Sequence, residues 1–553
     1  LKKPGDYIIP VYLSAGLFLS WMFIREVPDT DLNPYVYKLP EEYNGSEFLL
    51  QKNKYFSGPE FQLNSPENYF ILYSVNGEEW KKTKQIVFNE ESVHCPVLSV
   101  IPSSYKWKNP AGAFPRSAAL RYCFISERKN ERSPVYHQFI SDGNHKLPVI
   151  SLQCDNDDLF GFNNGIYIEG HSGLTETQNT FMIPWWKKNA NYHQKGNKWE
   201  RNAGFQFFDE TGTNKFSTEA GLRIHGNATR AYPQKSLRLS ASKKYGRAVF
   251  EYPFFEQNKI TNYRHLILRN GGNDWDRTLM ADGVIHEIIR SAGMDVQSYQ
   301  PVVVYLNGEY WGIHSLRERN DENYIAEKYN IKKKTITVLD GKQLSFGKEE
   351  EWNDFNELLS LCRNKNERDS IKVKRVKEKI NYENFLRYIS LQLYFANTDW
   401  PANNVKQYKL GGKNISEEEQ KWKWMIWDMD YSYGYTGKNA VNKDMFEHVL
   451  NSGTSTGILF SVLMNDQQFR TDLRKEIVLM LNTTLDEKVQ NNVIDKSAEE
   501  LSDEMDRHTR RWRKPAGEKE WNENILEIKK FISKRKNVLM EQTEKYLGPE
   551  TGI

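Results

Sequence analysis

From Leu147 to about Lys545 the chain offers no long linker, and this continuity constrains its fold more than any other feature. Strand signals come first and helical signals last, which reads as one large α+β domain. Leu147–Leu152 is an apolar strand run that leads into the Asn-, Asp- and Gly-rich "QCDNDDLFGFNNGIYIEG". Ala220–Ile224 and Ser236–Leu239 predict a hairpin around "HGNATRAYPQK", and His265–Arg269 a further strand. Apolar residues at helical spacing predict a helix over Asp276–Ser291. Val302–Leu306, then Asn307-Gly308, then Tyr310–Leu316 is a strong hairpin signal. Glu383–Asn397 reads as a buried helix and Trp422–Trp427 as a strand, and after about Gly457 the chain is helical and charged.

The residues before this domain divide in three. Lys2 and Lys3 precede an uncharged run, Ile8 to Ile24, long enough as a helix to approach the span of a bilayer core. Residues 1–25 are therefore expected to be a signal peptide or a membrane anchor. Pro10 and Gly16 within the run leave a buried strand pair as the alternative. Residues 26–60, broken by Pro28, Pro34, Pro40 and Pro59, read as a linker. Residues 61–145 carry short alternating strands, Tyr69–Ser74, Leu98–Ile101 and Leu120–Ile125, whose spacing suits a small β-sandwich.

Composition excludes several classes. With 76 Lys+Arg against 73 Asp+Glu, the near balance gives no support to a protein that coats nucleic acid. Aromatic residues make up 13%, too many for a largely disordered chain. Cys95, Cys123, Cys154 and Cys362 share no C-x-x-C spacing, which excludes a zinc ribbon. They are expected to be core residues, with a Cys95–Cys123 disulfide as the alternative. Most tryptophans are expected in the core, with Trp185 and Trp186 the best exposed candidates.

The candidate chemistry lies in "NTDWPANNVKQYK" and "KWKWMIWDMDYSYG". Asp399 and Asn404 stand five apart in a loop after the buried helix, and Asp428 and Asp430 end an apolar strand. Phosphoryl transfer in kinases uses these parts in this order: an Asp for the acceptor hydroxyl, then an Asn and an Asp for metal. Carboxylates and an amide suit Mg²⁺ because a hard cation prefers oxygen. Upstream, Gly226 at a hairpin tip and Lys235 on the return strand form a candidate phosphate grip, with Arg223 and Arg230 adding positive charge. Asp428 and Asp430 also admit a glycosidase reading, as paired carboxylates about 7 Å apart on an extended strand.

These segments, with "LRNGGNDWDRTLMADGVI" and "VYLNGEYWGIHSLRERND", run in order through a chain that resembles the CotH spore-coat protein kinase family. "SGPEFQLNSPENYFILYSVNGEEW" similarly resembles a chitobiase C-terminal-like β-sandwich. The first resemblance implies an atypical protein-kinase-like domain over 146–545, with a helical tail at 456–545. It implies ATP and Mg²⁺ or Mn²⁺ as cofactors, and serines of exported proteins as acceptors. Lys235 would then hold the nucleotide phosphates and Asp399 would be catalytic. Asn404 and Asp428 would hold metal, with Asp430 a further carboxylate. Glu287 would pair with Lys235, and Glu318 would lie at the hinge where adenine sits. The chain is expected to act outside the cytoplasm, in the cell envelope or secreted, touching a membrane only through residues 8–24. A carbohydrate contact through the sandwich is a further expectation. A non-catalytic envelope scaffold of the same fold is the competing reading.

Overall fold

The structure, a computed structural model, describes residues 36–37, 61–88, 98–129, 131–174 and 183–549. The run 8–24 and Cys95 lie outside them. Among the described residues no helix is long and apolar enough to cross a membrane.

The β-rich N-terminal part has two sheets. The larger is centred on Ser117–Ser126, paired antiparallel with Tyr69–Val75 on one side and Tyr136–Ser141 on the other. The smaller pairs Phe61–Asn64 with Gln85–Phe88. Leu63, Ile86 and Phe88 from the small sheet pack on Ile71, Leu120, Tyr122 and Phe124 from the large one. Alternating apolar residues thus give each sheet one face to bury. Leu98–Val100, expected as a strand, is a single 3-10 turn. It sits in the main core through Leu98, and Glu309 fixes the Ser99 amide at 3.0 Å.

Seven strands then close a barrel: β1 (Val149–Cys154), β2 (Arg201–Phe208), β3 (Asn214–Ile224), β4 (Leu237–Ser240), β5 (His265–Arg269), β6 (Tyr299–Leu306) and β7 (Glu309–Glu318). The order is β2-β3-β4-β5-β7-β6-β1, with β1 returning to β2. All pairs are antiparallel except β6 with β1. The β6–β7 turn uses Asn307 and Gly308, both at positive φ (49° and 75°), as a two-residue hairpin of this twist demands. Leu222, Leu239, Leu266 and Leu268 line one face of β3, β4 and β5 and are fully buried. The opposite face carries Arg223, Arg238, Ile267, Arg269 and Arg317 in register. That polar face is the one turned toward the rest of the domain.

The barrel and the N-terminal sheet are clamped by charge. Arg121 reaches Glu219 of β3 at 2.9 Å, and His137 reaches the same carboxylate at 2.7 Å. Burial alone would raise the Glu219 carboxyl, but Arg121 and His137 outweigh it and hold it well below the usual range.

The remaining half is mainly helical. A helix α1 (Ala281–Arg290) packs on the barrel, shorter than expected because Gly272–Asp276 forms a 3-10 turn first. A four-stranded sheet contains Ile336–Asp340, Gln343–Phe346, Lys406–Leu410 and Lys423–Met425. Helix α2 (Tyr382–Phe395) is buried on most sides, as its near-continuous apolar sequence requires, and Asn381 caps it. It ends at Ala396, whose φ of 48° turns the chain sharply into the loop that follows. The tail forms α3 (Gln467–Leu481), α4 (Glu487–Trp512) and α5 (Glu518–Leu547). Arg535 on α5 locks the tail by donating to the carbonyls of Tyr394 and Leu393 at 2.9 and 2.6 Å. Cys123, Cys154 and Cys362 are buried free thiols. Trp275, Trp400, Trp422 and Trp424 are core residues.

Candidate active site

Three of the residues singled out in the sequence come together directly. The loop after α2 and the segment after Lys423–Met425 run side by side. Asn404 Nδ2 donates to Asp399 Oδ2 at 2.9 Å and to the Asp428 carbonyl at 3.2 Å. Asn403 Nδ2 holds the other Asp399 oxygen at 2.8 Å. Both side-chain oxygens of Asp399 are thus oriented by amides, and the residue stays partly exposed. Asn404 and Asp428 have φ of 57° and 54°. This region disfavours most side chains and is tolerated best by Asn and Asp. The fold therefore holds these two residues in a sparsely populated conformation where they meet.

Asp430 joins them through Arg269 of β5. One guanidinium nitrogen lies 2.5 Å from Asp428 Oδ1 and 2.8 Å from Asp430 Oδ2. The Asn273 amide donates to the same Asp430 oxygen at 2.7 Å. Asp282 on α1 completes the cluster. It pairs with Arg317, and its Oδ1 accepts from the Met429 amide at 2.6 Å. The helix thereby fixes the backbone between the two carboxylates. Burial opposes charge on Asp282, but Arg317, His286 and Arg269 hold its carboxyl well below the usual range.

The upstream grip is arranged differently. Lys235 is fully buried, and its Nζ donates to the carbonyls of Arg230 and Tyr232 at 2.8 and 3.0 Å. It lies 3.8 Å from the centre of the Tyr192 ring. Burial pushes its pKa well down. Lys235 therefore braces its own loop in this structure. Arg230 does the same, donating to the carbonyls of Gly226, Tyr192, Gln194 and Ile224. The Gly226 carbonyl is consumed in that brace, and its φ of 99° serves the turn. Glu287 pairs with Arg290 at 3.3 Å, one turn along α1, and not with Lys235. Glu318 alternates with Arg317 and so points to the opposite face of β7. There it accepts from the Ser298 amide at 3.0 Å and from Asn258. Lys235, Arg230, Gly226, Glu287 and Glu318, expected to serve the cofactor, thus each have a partner within the fold in this structure.

Sequence reasoning missed Arg269, Asn273, Asp282 and Arg317. A basic residue closing the apolar strand His265–Arg269 was the available signal. It also missed Arg238, whose Nε is buried with no acceptor among the described residues. Arg238 faces Arg319 and Arg223, and Arg319, Arg238 and Arg269 all act on His225, which burial already keeps neutral. Positive charge thus accumulates on the polar face of the barrel, beside Asp428.

The donor set fits a divalent cation. Asp282, Asp428 and Asp430 share the Arg269 and Arg317 guanidiniums, and Asp399 has only amide partners. Asp430 Oδ1 is buried without a partner, and such a group normally has one. Burial, then the neighbouring Asp428, pushes the Asp430 carboxyl well up. Among the described residues no three His, Cys, Asp or Glu side chains converge as a ready-made metal site. The amide oxygen of Asn404 and oxygens of a substrate would have to complete the shell. The glycosidase reading fails on geometry. Asp428 and Asp430 bind one nitrogen, which leaves no room for the water an inverting pair must hold.

An Asp-Asn loop after a buried helix, facing a strand-end Asp beneath a β-rich unit, defines a kinase-like protein. A family model described as CotH kinase protein matches residues 222–539, more than half of the chain, which therefore belongs to the CotH kinase family. A comparison with curated proteins finds no match. The match includes every residue of the cluster and leaves the N-terminal sheets outside it.

Proposed function

We propose that this chain is a protein kinase that uses ATP and a divalent cation to phosphorylate serines of exported or cell-surface proteins. The observation that carries the reading is the hydrogen-bonded unit of Asp399, Asn404 and Asp428. Asp399, held by two amides and reachable from solvent, is suited to orient an acceptor hydroxyl and take its proton. Asn404 and Asp428 would hold the cation, with Asp430 Oδ1 as a further oxygen. The cation, when bound, supplies charge neutralisation at the phosphate oxygens. Asp282 and Arg317 keep the Asp428–Asp430 segment in place. Arg238, whose Nε has no acceptor among the described residues, would add a phosphate contact beside the one expected of Lys235. The choice of serine, the exported location and the choice of Mg²⁺ or Mn²⁺ rest on the family resemblance and on the run 8–24. The test is thermal unfolding of the full chain with ATP, with and without Mg²⁺ or Mn²⁺, beside transfer of labelled phosphate to an envelope extract. Stabilisation that requires both nucleotide and metal, with label appearing on protein, is expected. Stabilisation by neither would overturn the reading.

A further inference from the structure

A line of aromatic rings leads from the carboxylate cluster to the protein surface. The Asn273 amide donates to Asp430, and the Asn273 side-chain oxygen accepts from the Tyr232 hydroxyl at 3.2 Å. Tyr232 stacks on Trp185 with ring centres 5.7 Å apart, and Trp186 meets Trp185 edge-on at 5.7 Å. Trp186 is 39% exposed and nearby Tyr105 is 68% exposed. Rings this large rarely stand at a surface together without a partner.

The same surface carries lysines. Lys106 Nζ sits 4.3 Å from the centre of the Trp185 ring, and Lys188 Nζ 5.1 Å from that of Tyr105. Lys108 and Lys187 adjoin them in sequence and are exposed. None of the four forms an ion pair among the described residues, although 37 ion pairs occur there in all. The ridge is a built structure. The Ser103 hydroxyl donates to the Pro233 carbonyl at 2.9 Å, which ties the 103–108 segment to the loop that bears Tyr232. Near Tyr232, Tyr431 and Tyr435 pack edge-on at 4.7 Å, and the Arg277 guanidinium lies over the Tyr435 ring.

We infer that this ridge docks the acceptor polypeptide, and that it selects segments carrying acidic side chains beside the reacting serine. The inference rests on the kinase reading, since it names the acceptor class of that site. Four ammonium groups without a carboxylate partner among the described residues, two of them held over aromatic rings, call for negative charge, and the exposed indole and phenol rings offer flat faces to an extended chain. The ridge ends at Tyr232, one residue from the Asp430 cluster, so a segment lying on it would deliver a neighbouring hydroxyl to Asp399. The near-balanced charge of the whole chain favours a local polypeptide contact over a nucleic acid.

The test uses the full chain and three labelled peptides with one central serine, flanked by Glu, Gln or Lys. Binding is read by fluorescence anisotropy on the Asp399→Asn variant, so that no transfer is needed. The Glu peptide should bind about tenfold more tightly than the Gln peptide, the worth of a few surface charge contacts. The pair Lys106→Glu and Lys188→Glu should abolish that preference, and Trp186→Ala should weaken all three peptides. With active enzyme the same charge reversal should raise KM for the Glu peptide and leave kcat unchanged. Equal binding of the three peptides, a preference that survives charge reversal, or tighter binding of a single-stranded oligonucleotide would each overturn the inference. Absent transfer with an intact Glu preference would instead count against the kinase reading and leave the docking ridge standing.

Discussion

Replacing Asp282 with Asn tests how the site is held. Asp282 is buried, and its two oxygens do different work. Oδ1 accepts from the Met429 amide, while Oδ2 faces the Arg317 guanidinium, itself 1% exposed. Asn can keep the first contact through its own oxygen. It cannot keep the second, because its amide N–H groups would face a cation. Breaking one side of a buried pair costs about 3–5 kcal/mol, since the remaining charge has no water to turn to. The unfolding entropy of a unit this size is roughly 0.7 kcal/mol/K, so Tm should fall by about 4–7 °C. Adding Arg317→Met removes the stranded charge, and most of the loss should then return. Thermal unfolding of wild type, both single variants and the double variant gives the coupling directly. A fall below about 1.5 °C for Asp282→Asn, or strict additivity in the double variant, would refute this account of the cluster.

Three further outcomes follow from the same geometry. Lys235→Met should lower Tm and leave nucleotide affinity within about twofold, because Nζ serves the carbonyls of its own loop; calorimetric titration with ATP showing a large loss of affinity would return Lys235 to the phosphates. Asp428→Ala should make nucleotide-dependent stabilisation weak and indifferent to Mg²⁺, and should also lower Tm of the free protein, because it removes a partner of Arg269 and puts Ala at a φ of 54°; preserved metal dependence would move the cation elsewhere. His508 is fully buried, accepts from the Ile313 amide at 3.0 Å, and is pushed by burial down to about 3. Its folded pKa lies below the unfolded value, so the unfolded chain gains the proton first, and this contribution is complete above about pH 6.5 and lost as pH falls toward 3. Asn at 508 retains the acceptor and does not titrate, so the stability gap to wild type should narrow by roughly 1.4 kcal/mol per pH unit between about pH 6 and 4. A constant gap would contradict the assignment.

Local pattern made some of this legible before any coordinates. Asp399, Asn404 and Asp428 could be picked out because a buried helix and an apolar strand each end just before them, and the ends of regular elements place side chains predictably. The hairpin at Asn307-Gly308 was legible because positive φ at both positions selects those residues. Closure of the barrel was not, because alternation marks a strand without naming its partner. The parallel pairing of Val303 with Val149 joins residues far apart in the chain. The direction of Lys235 was equally hidden. Whether a lysine before a strand turns outward or folds into its own loop depends on carbonyls freed by a 3-10 turn, here Ala228–Ala231. Arg317 and Glu318 take opposite faces of one strand, and the sequence does not say which face looks at the site. Arg269 and Asp282 were invisible as partners because their ties to Asp428, Asp430 and Met429 span the two halves of the domain.

Phosphate transfer by Asp399→Asn tests the central claim most directly. Asn preserves the shape of the side chain and one of its acceptors, so one of the two amide contacts from Asn403 and Asn404 is kept, and the other is lost in a partly exposed loop where the fold should hold. Asp399 meets the proposed cation site only through the Asn404 amide, which keeps its own amide oxygen free, so ATP affinity with Mg²⁺ should stay within a few-fold. Transfer of labelled phosphate to protein should fall by roughly 10²–10⁴, the usual worth of a positioned base. Transfer within about threefold of wild type would contradict the catalytic role of Asp399, and a wild type that binds nucleotide yet transfers nothing to a broad set of envelope proteins would make the chain a scaffold built on a kinase fold.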